Sequence, residues 1–346
     1  MTFHVDKSRL ETEWGIVPMA SDWMPKAFKN NFGMACDAQP ALVTQPNAGV
    51  PAWLTAFVDP EVIRILQSPN KGAQILGEVK KGDWATQTAY FPMIENVGEV
   101  SSYGDYNTNG ISDVNASWEA RQPYLFQTIY TVGDLEVERA GEAKLNLASE
   151  KQISAAKTLD KFQDVTYHFG VAGLANYGTL NDPSLPAPTT PSAKAAGGVK
   201  WVNNGQVVAQ AGEVYADFMS LYTQLATQSQ GLVDTDTEFT FVYASSVSGA
   251  LAATNQFGIT VKAYIKETFP NVNFVSDPRY STVAGNVVQL IAKTFDGQQT
   301  GYCAFNEKLR DHPIVREVSS YKQKKTSGSF GAIIRQPLAF AQMIGT

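Results

Sequence analysis

One pair of residues, Ser154 and Lys157, has the spacing of a known nucleophilic motif. It matches S-x-x-K, in which the serine of penicillin-recognising enzymes attacks a carbonyl carbon. The companion motifs S-D-N and K-T-G are absent from the chain. We therefore interpret the pair as ordinary residues of a helix.

A second group, Asp234, Asp236 and Glu238, begins like a calcium-binding loop, in which oxygen ligands at alternate positions bind the ion. Phe239 stands where that loop requires glycine, and Ser245 replaces its final glutamate. The sequence therefore predicts an acidic turn before a strand.

The histidines and cysteines are too scattered to predict a metal site. His4, His168 and His312 share no ligand spacing, and Cys36 and Cys303 lie far apart in the chain. We interpret both cysteines as small core residues in a reducing compartment. Nucleotide-binding loops and the G-x-S-x-G elbow are also absent. We predict no catalytic residue, no cofactor and no metal, although catalytic groups can also be assembled in space.

The composition is that of a folded protein. The 346 residues are 44% hydrophobic and 17% charged, with a net charge of -6. This balance argues against a dedicated nucleic-acid binder, which usually carries a basic domain. The first residues lack the apolar region of a signal peptide, and no apolar stretch is long enough to span a membrane. We expect a protein made in a cytoplasm, without a membrane partner.

The elements that would position functional residues begin with a hairpin over residues 80–133. Its second strand alternates from Val114 to Val132, and Asn109-Gly110, a strong turn signal, lies near its tip. A two-stranded ribbon is not stable alone in water, so it must lie against something. Before it, an arm interrupted by seven prolines carries aromatic residues that also need a surface.

Helix and strand patterns fill the rest of the chain. The composition of residues 134–168 predicts one helix of about 50 Å. Such a helix either bends or belongs to an elongated molecule. Residues 171–310 predict an α/β region, with an amphipathic helix around Phe218 and a buried strand at 239–243. Residues 331–344 predict a final strand pair with Pro337 at an edge. The arm, the ribbon and the long helix are typical of a subunit that completes its core with neighbours.

Charge is unevenly distributed along the chain. Between Gly82 and Ala120 there are six acids and no lysine or arginine, whereas Lys308 to Arg335 holds seven bases and two acids. This division favours head-to-tail contact between copies. Two independent solvated faces, or a basic tract that contacts nucleic acid, are the alternatives. The candidate inter-subunit residues are Tyr103, Asp105, Tyr106, Trp118, Glu95, Glu99, Lys322, Lys324, Lys325 and Arg335.

Four segments resemble parts of a known family. They are Phe91–Tyr106 (FPMIENVGEVSSYGDY), Val132–Ala140 (VGDLEVERA), Phe169–Leu174 (FGVAGL) and Phe330–Pro337 (FGAIIRQP). They are similar to the E-loop, the start of the spine helix, the turn after that helix and the C-terminal strand of tailed-bacteriophage major capsid proteins with the Hong Kong 97-type fold. The likeness runs from about Lys81 onward.

The resemblance implies an α+β fold with an N-terminal arm, an extended E-loop hairpin, a long spine helix, and peripheral and axial domains. On this chain these are residues 1–79 for the arm, 80–133 for the hairpin with flanking peripheral strands, 134–170 for the spine helix, 171–307 for the axial domain and 308–346 for the return to the peripheral domain. It also implies a structural, non-enzymatic shell protein. Such a protein self-assembles as pentamers and hexamers into an icosahedral head.

The partners implied by the resemblance are copies of the chain, packaged double-stranded DNA through non-specific contact, and separate scaffolding, portal and decoration proteins. The implied location is the virion, after assembly in the host bacterial cytoplasm. Some relatives weld subunits through an E-loop lysine, but here Lys80 and Lys81 lie only at the hairpin's base. A nanocompartment shell that encloses cargo enzymes and a soluble α/β enzyme are the alternative functions.

Overall fold

The computed structural model describes residues 69–142, 145–295 and 297–346. Contacts divide the chain into two units, residues 1–68 with 142–145 and residues 69–141 with 146–346. The elements below belong to the second unit, apart from Glu142, the last residue of α2. Most of the predicted N-terminal arm lies outside the described residues, as do His4 and Cys36.

Six α-helices occur in this part of the chain. They are α1 (Gly72–Leu76), α2 (Asp134–Glu142), α3 (Leu147–Phe169), α4 (Ala211–Gln228), α5 (Ser248–Ala252) and α6 (Val261–Thr268). None of them has the length and apolarity needed to cross a lipid bilayer.

The strands form two larger sheets and three two-stranded ribbons. The first sheet has the order β1 (Glu78–Lys80), β13 (Gly301–Asp311), β15 (Ser320–Ile334) and β14 (Val315–Arg316), and β4 (Tyr124–Gly133) also pairs with β15. The second has the order β16 (Phe340–Ile344), β10 (Gly285–Ala292), β7 (Phe239–Ala244) and β8 (Val272–Asp277), with β9 (Ser281–Thr282) on β10. The ribbons are β2 (Ala89–Gly98) with β3 (Ser112–Arg121), β5 (Val202–Asn203) with β6 (Gln206–Val207), and β11 (Thr294–Phe295) with β12 (Gln298–Gln299).

The first sheet packs one face against α3. Phe126 of β4 lies 4.6 Å from Phe162 of α3, measured between ring centroids. The Thr166 hydroxyl donates to Ser329 Oγ of β15 at 2.9 Å. Since side chains alternate along a strand, every second residue of β4 faces the helix and the others face away from it.

The second sheet forms the larger core with α4. The predicted stripe of α4 is buried, and Phe218 lies 5.1 Å from Phe241 of β7 between ring centroids. The predicted helix and the predicted strand at 239–243 are both confirmed. Burial of this stripe is the main force that holds α4 on the sheet.

The stretch predicted as one helix contains two, α2 and α3. Asn146 accepts a hydrogen bond from Ser149 N at 3.3 Å and so begins α3. An asparagine side chain that binds the first free amide groups stabilises a helix start rather than a helix interior.

The predicted hairpin is shorter than the sequence indicated. It consists of β2 and β3, because after Pro123 the chain leaves the ribbon and β4 pairs with β15, from Tyr124 opposite Ser329 to Gly133 opposite Ser320. Proline lacks the amide donor that would continue a ladder.

The predicted strand pair at 331–344 is wrong. β15 pairs with β13 and β4 in the first sheet, whereas β16 pairs with β10 in the second. Pro337 begins a 3-10 turn, Pro337–Ala339, between the two strands. The chain therefore changes sheet at this turn instead of folding back on itself.

Candidate functional site

The residues with catalytic or calcium-loop spacing have ordinary surroundings. Ser154 and Lys157 are both exposed on α3, and no hydrogen bond joins them. Glu238 pairs with Lys293 at 2.8 Å just before β7. The acidic segment is thus a turn that leads into a strand, as predicted.

His168 is buried at the end of α3 and links that helix to the second sheet. Its Nε2 lies 2.8 Å from Asp277 Oδ2, and its Nδ1 lies 2.7 Å from the backbone oxygen of Asp164. Both partners are acceptors, so each ring nitrogen is placed to donate. Arg279 Nε donates to Asp164 at 2.6 Å and extends the network. These contacts join α3 to the residues that end and follow β8, and both ring nitrogens of His168 are used in them.

Cys303 is fully buried in β13, as predicted for a core residue. Burial raises the pKa of its thiol well above its usual value. Within the described ranges, no three histidine, cysteine, aspartate or glutamate side chains come together as metal ligands.

Two surface grooves lie on the described part of the chain. One of about 490 Å³ is lined by hydroxyl and amide side chains, mostly of α4. The other, of about 590 Å³, has Lys71 as its one ionisable lining residue. Neither lining contains the acid and base in contact that general acid–base catalysis uses.

The hairpin β2–β3 has two chemically different faces. Residues directly opposite each other in an antiparallel pair lie on the same face. The register therefore places Tyr90, Ile94 and Trp118 on one face, together with Pro92 and Ala116. Ile94 is 70% exposed and Trp118 is 64% exposed. This is the apolar hairpin face.

The opposite face of the hairpin carries its acids. The same register puts Glu95, Asp113 and Glu119 together, with Met93 and Val97 between them. No ion pair is formed by Glu95 or Asp113 among the described residues, whereas Glu119 lies 2.7 Å from Arg121. We call this the acidic hairpin face.

The loop at the hairpin's tip is ordered by its own hydrogen bonds. Ser101 Oγ donates to the backbone oxygen of Asn109 at 2.7 Å, and Gly110 has a φ of 98° that favours glycine. Tyr103 donates to Asp105 at 2.8 Å. Tyr103 and Tyr106 are almost fully exposed. Glu99, at the loop's start, is also exposed.

The basic tract predicted from the sequence is not one surface. Arg316 pairs with Asp134 at 2.6 Å and Lys308 with Glu78, so these bases already have partners in the same chain. Lys325 is 2% exposed and pairs with Asp311 on the α3 side of the sheet. Arg335 is exposed and lies 5.4 Å from the Tyr302 ring centroid, beyond the end of β15.

Alternation along β15 leaves Lys322 and Lys324 on the face away from α3. Lys324 lies opposite Ile129 of β4, and Lys322 lies opposite both Thr131 of β4 and Val315 of β14. Lys322 Nζ also donates to Glu317 at 2.8 Å, and this hydrogen bond lowers the pKa of that carboxyl. Both lysines are therefore on the solvent side of the sheet.

Further residues on this face were not predicted from the sequence. Arg310 lies opposite Thr326, on the same face as Lys324, and its guanidinium is 5.4 Å from the ring centroid of Trp84. Leu125 and Ile129 are 42% and 55% exposed. We call the set Arg310, Lys322, Lys324, Leu125, Ile129 and Val315 the basic sheet face. The alternation of side chains along β4, β13 and β15 is the sequence signal that could have predicted this face.

An exposed hairpin, a sheet packed on a long helix and a second α/β layer make up the Hong Kong 97-type fold, which three solved capsid structures share. The capsid of Myoviridae phage XM1 matches with a TM-score of 0.70 at 15% identity, over 87% of this chain and 100% of that one. The capsid of the native GTA particle matches with a TM-score of 0.57 at 12% identity, over 87% and 100%. The capsid of cyanophage P-SCSP1u matches with 0.54 at 10% identity, over 90% and 99%.

These likenesses show the fold, and the family follows from the sequence. No curated protein sequence matches the chain significantly. The family model of the Pa193 gp26 major capsid protein matches residues 41–345. The chain therefore belongs to that family of major capsid proteins, and it is a structural protein of the phage capsid. The resemblance stated from the sequence is confirmed, and the nanocompartment alternative is not favoured.

Proposed function

We propose that copies of this chain assemble as pentamers and hexamers into an icosahedral phage head that encloses double-stranded DNA. The observation that carries the proposal is the hairpin, whose two faces are both exposed in one subunit. Large apolar side chains such as Ile94 and Trp118 would remain in water in a monomer. Contact with a neighbouring copy would bury them.

We propose that the acidic hairpin face of one copy contacts the basic sheet face of the next. The first carries Glu95 and Asp113 beside apolar Met93 and Val97, and the second carries three bases beside Leu125, Ile129 and Val315. Opposite charges and apolar contacts are thus matched on the two surfaces. The apolar hairpin face would then contact a second surface within the shell.

The candidate residues divide accordingly. Glu95 and Trp118 lie on opposite faces of the hairpin, and Glu99, Tyr103, Asp105 and Tyr106 lie at its tip. Lys322 and Lys324 belong to the basic sheet face, which would contact the hairpin of a neighbour. Arg335 remains a candidate for contact with the tip of that hairpin. We leave Lys325 out of the contact, because it is buried and paired with Asp311.

The two sheets support a division into domains. We propose that residues 80–133 supply the hairpin and β4, that 134–170 supply the spine helices α2 and α3, and that the axial domain begins at 171. The return to the peripheral domain starts at β13, near residue 301, rather than at 308. The last residues, including β16, belong with the axial sheet, to which β16 is paired.

We propose further that the shell forms in the host bacterial cytoplasm and becomes part of the virion, with separate scaffolding, portal and decoration proteins. DNA would be held by non-specific contact, which needs no base-reading residues. The protein would act without catalysis or cofactor. The match to a family of major capsid proteins, which are structural, supports this.

Electron microscopy of the purified full-length chain tests the function. We expect closed particles, and we expect particles from infected cells to show the absorbance ratio at 260 and 280 nm of packaged nucleic acid. Strictly monomeric behaviour under all assembly conditions would contradict the shell. Particles that carry enzymes and no nucleic acid would contradict the DNA-filled head.

A further inference from the structure

Arg121 joins the hairpin to the rest of the subunit. It is the last residue of β3 and is 1% exposed, although nearly all of the hairpin is exposed. Its Nη2 forms an ion pair with Glu119 Oε1 on the hairpin at 2.7 Å and donates to Asp182 Oδ2 at 2.9 Å. Its guanidinium lies 4.6 Å from the ring centroid of Tyr177. One side chain thus contacts both the hairpin and the loop at 175–184.

That loop is itself fixed to the first sheet. The backbone oxygen of Tyr177 accepts from Ala332 N of β15 at 2.8 Å. Asn176 Nδ2 donates to the backbone oxygens of Gln122 at 3.1 Å and Ser329 at 2.9 Å. Asp182 Oδ1 accepts from Ser184 N at 2.9 Å. The loop that Arg121 contacts is therefore bonded to β15 through Asn176 and Tyr177.

Stability alone does not explain a buried arginine at this place. Arg121 Nε and Nη1 have no hydrogen-bond partner among the described residues, and the Asp182 side chain is fully buried. Buried ion pairs often stabilise a fold no more than neutral residues of similar size, and unpaired buried donors carry an additional cost.

The other strand of the hairpin is held differently. Ala89 and Phe91 of β2 pack against Tyr302 and Phe330 of the first sheet. Apolar packing is non-directional and leaves the angle of a ribbon weakly defined. A guanidinium that donates to a carboxylate and lies over an aromatic ring is restrained in both its direction and its plane.

We propose that Arg121 is a positioning residue, which fixes the direction of the hairpin relative to the first sheet before a neighbour binds. Glu119 and Asp182 both contact Nη2 of its guanidinium, one from the hairpin and one from the loop, and Tyr177 sets its plane. This proposal adds to the hairpin contact proposed above. Only its expected effect on assembly rests on that contact.

Spin-label distances in the full-length, unassembled chain test the proposal. Labels at Asn115→Cys on the hairpin and Lys266→Cys on α6 are used in a Cys36→Ser background, since Cys303 is buried. We expect one narrow distance distribution for the otherwise unchanged chain. The variant Arg121→Met/Asp182→Asn removes both charges. We expect its distance distribution to be at least about twofold broader than that of the otherwise unchanged chain, and its melting temperature to lie within about 4 °C of that chain's.

Two further variants complete the experiment. Arg121→Lys keeps the charge without the planar fork, and we expect it to broaden the distribution as well. Arg316→Met/Asp134→Asn removes an exposed ion pair elsewhere, and we expect no broadening. An unchanged width in Arg121→Met/Asp182→Asn or in Arg121→Lys would overturn the proposal. A loss of more than about 4 °C in Arg121→Met/Asp182→Asn would also overturn it, because Arg121 would then be a stability residue.

Assembly yield separates this proposal from the proposed function. If the hairpin is the contact element, a broadened distribution should be accompanied by a lower yield of particles. Broadening with normal yield would contradict the hairpin contact and leave the positioning role of Arg121 supported.

Discussion

Lys324 of β15 lies opposite Ile129 of β4 on the exposed side of the first sheet, whereas its neighbour Lys325 lies opposite Thr128 on the side of α3. One step along the strand thus separates a lysine that can meet another molecule from one that is buried and paired with Asp311. The same alternation separates the acidic from the apolar face of the hairpin.

Reversing the charge of Lys322 and Lys324 should impair assembly. Like charges would then meet the acidic hairpin face, which costs several kcal/mol at an interface. We expect the assembled fraction of Lys322→Glu/Lys324→Glu to fall by at least about tenfold in sedimentation, with the melting temperature nearly unchanged.

A matched control and a rescue make this test specific. Lys157→Glu/Lys266→Glu changes the net charge equally at exposed helix positions and should assemble normally. Adding Glu95→Lys/Asp113→Lys to the first variant should restore particles. Normal yield from Lys322→Glu/Lys324→Glu would remove the proposed contact.

The apolar hairpin face should matter for assembly and not for folding. Because Trp118 is 64% exposed, Trp118→Ser should change the free energy of unfolding by less than about 0.5 kcal/mol. Buried in a contact, a tryptophan is often worth about 2 kcal/mol or more, so the concentration needed for assembly should rise by at least about tenfold. Light scattering against concentration measures it.

Val283 supplies the comparison for Trp118. It is 89% exposed and lies outside the hairpin, so Val283→Ser removes apolar surface without touching the proposed contact. Equal effects of the two substitutions on assembly would argue against a special role for the hairpin.

The Cys303 thiol should resist modification in the native protein. Burial raises its pKa, so the fold favours the neutral thiol, and the stability that results is present at neutral pH and is lost as pH rises. In a Cys36→Ser background, we expect no reaction with an aromatic disulfide reagent at pH 8 until denaturant unfolds the chain. Reaction of the native protein at the rate of a free thiol would show that β13 is open to solvent.

Much of the fold follows from local pattern. The apolar stripe of α4 was predictable because its buried residues recur with the helical period. The run Phe239–Tyr243 was predictable because a short, mostly apolar run is typical of a strand that is buried on both faces. The division between α2 and α3 was missed, although Asn146 is a residue type typical of a helix start. A single asparagine was too weak a signal against a long stretch of helix-forming residues.

Pairing partners were harder to predict than elements. Alternation continues on both sides of Pro123, so the sequence did not show that β3 pairs with β2 and β4 with β15. The polar, glycine-containing stretch that forms much of β15 carries little strand propensity, and its pairing on both sides stabilises it instead. The count of bases along the chain likewise did not show that β15 divides the basic tract between two faces.

Arg121 had no sequence signal at all. An arginine at the end of an exposed strand is normally solvated, and its burial depends on Tyr177 and Asp182, more than fifty residues away in the chain. Contacts of this range are set by the complete fold.

A reconstruction of assembled particles by cryo-electron microscopy tests the central claim most directly. We predict a closed shell in which the hairpin of each subunit lies on a neighbour, with Glu95 and Asp113 facing Lys322 and Lys324 of that neighbour. A shell whose hairpins lie against their own subunit, with Lys322 and Lys324 facing solvent, would contradict the account.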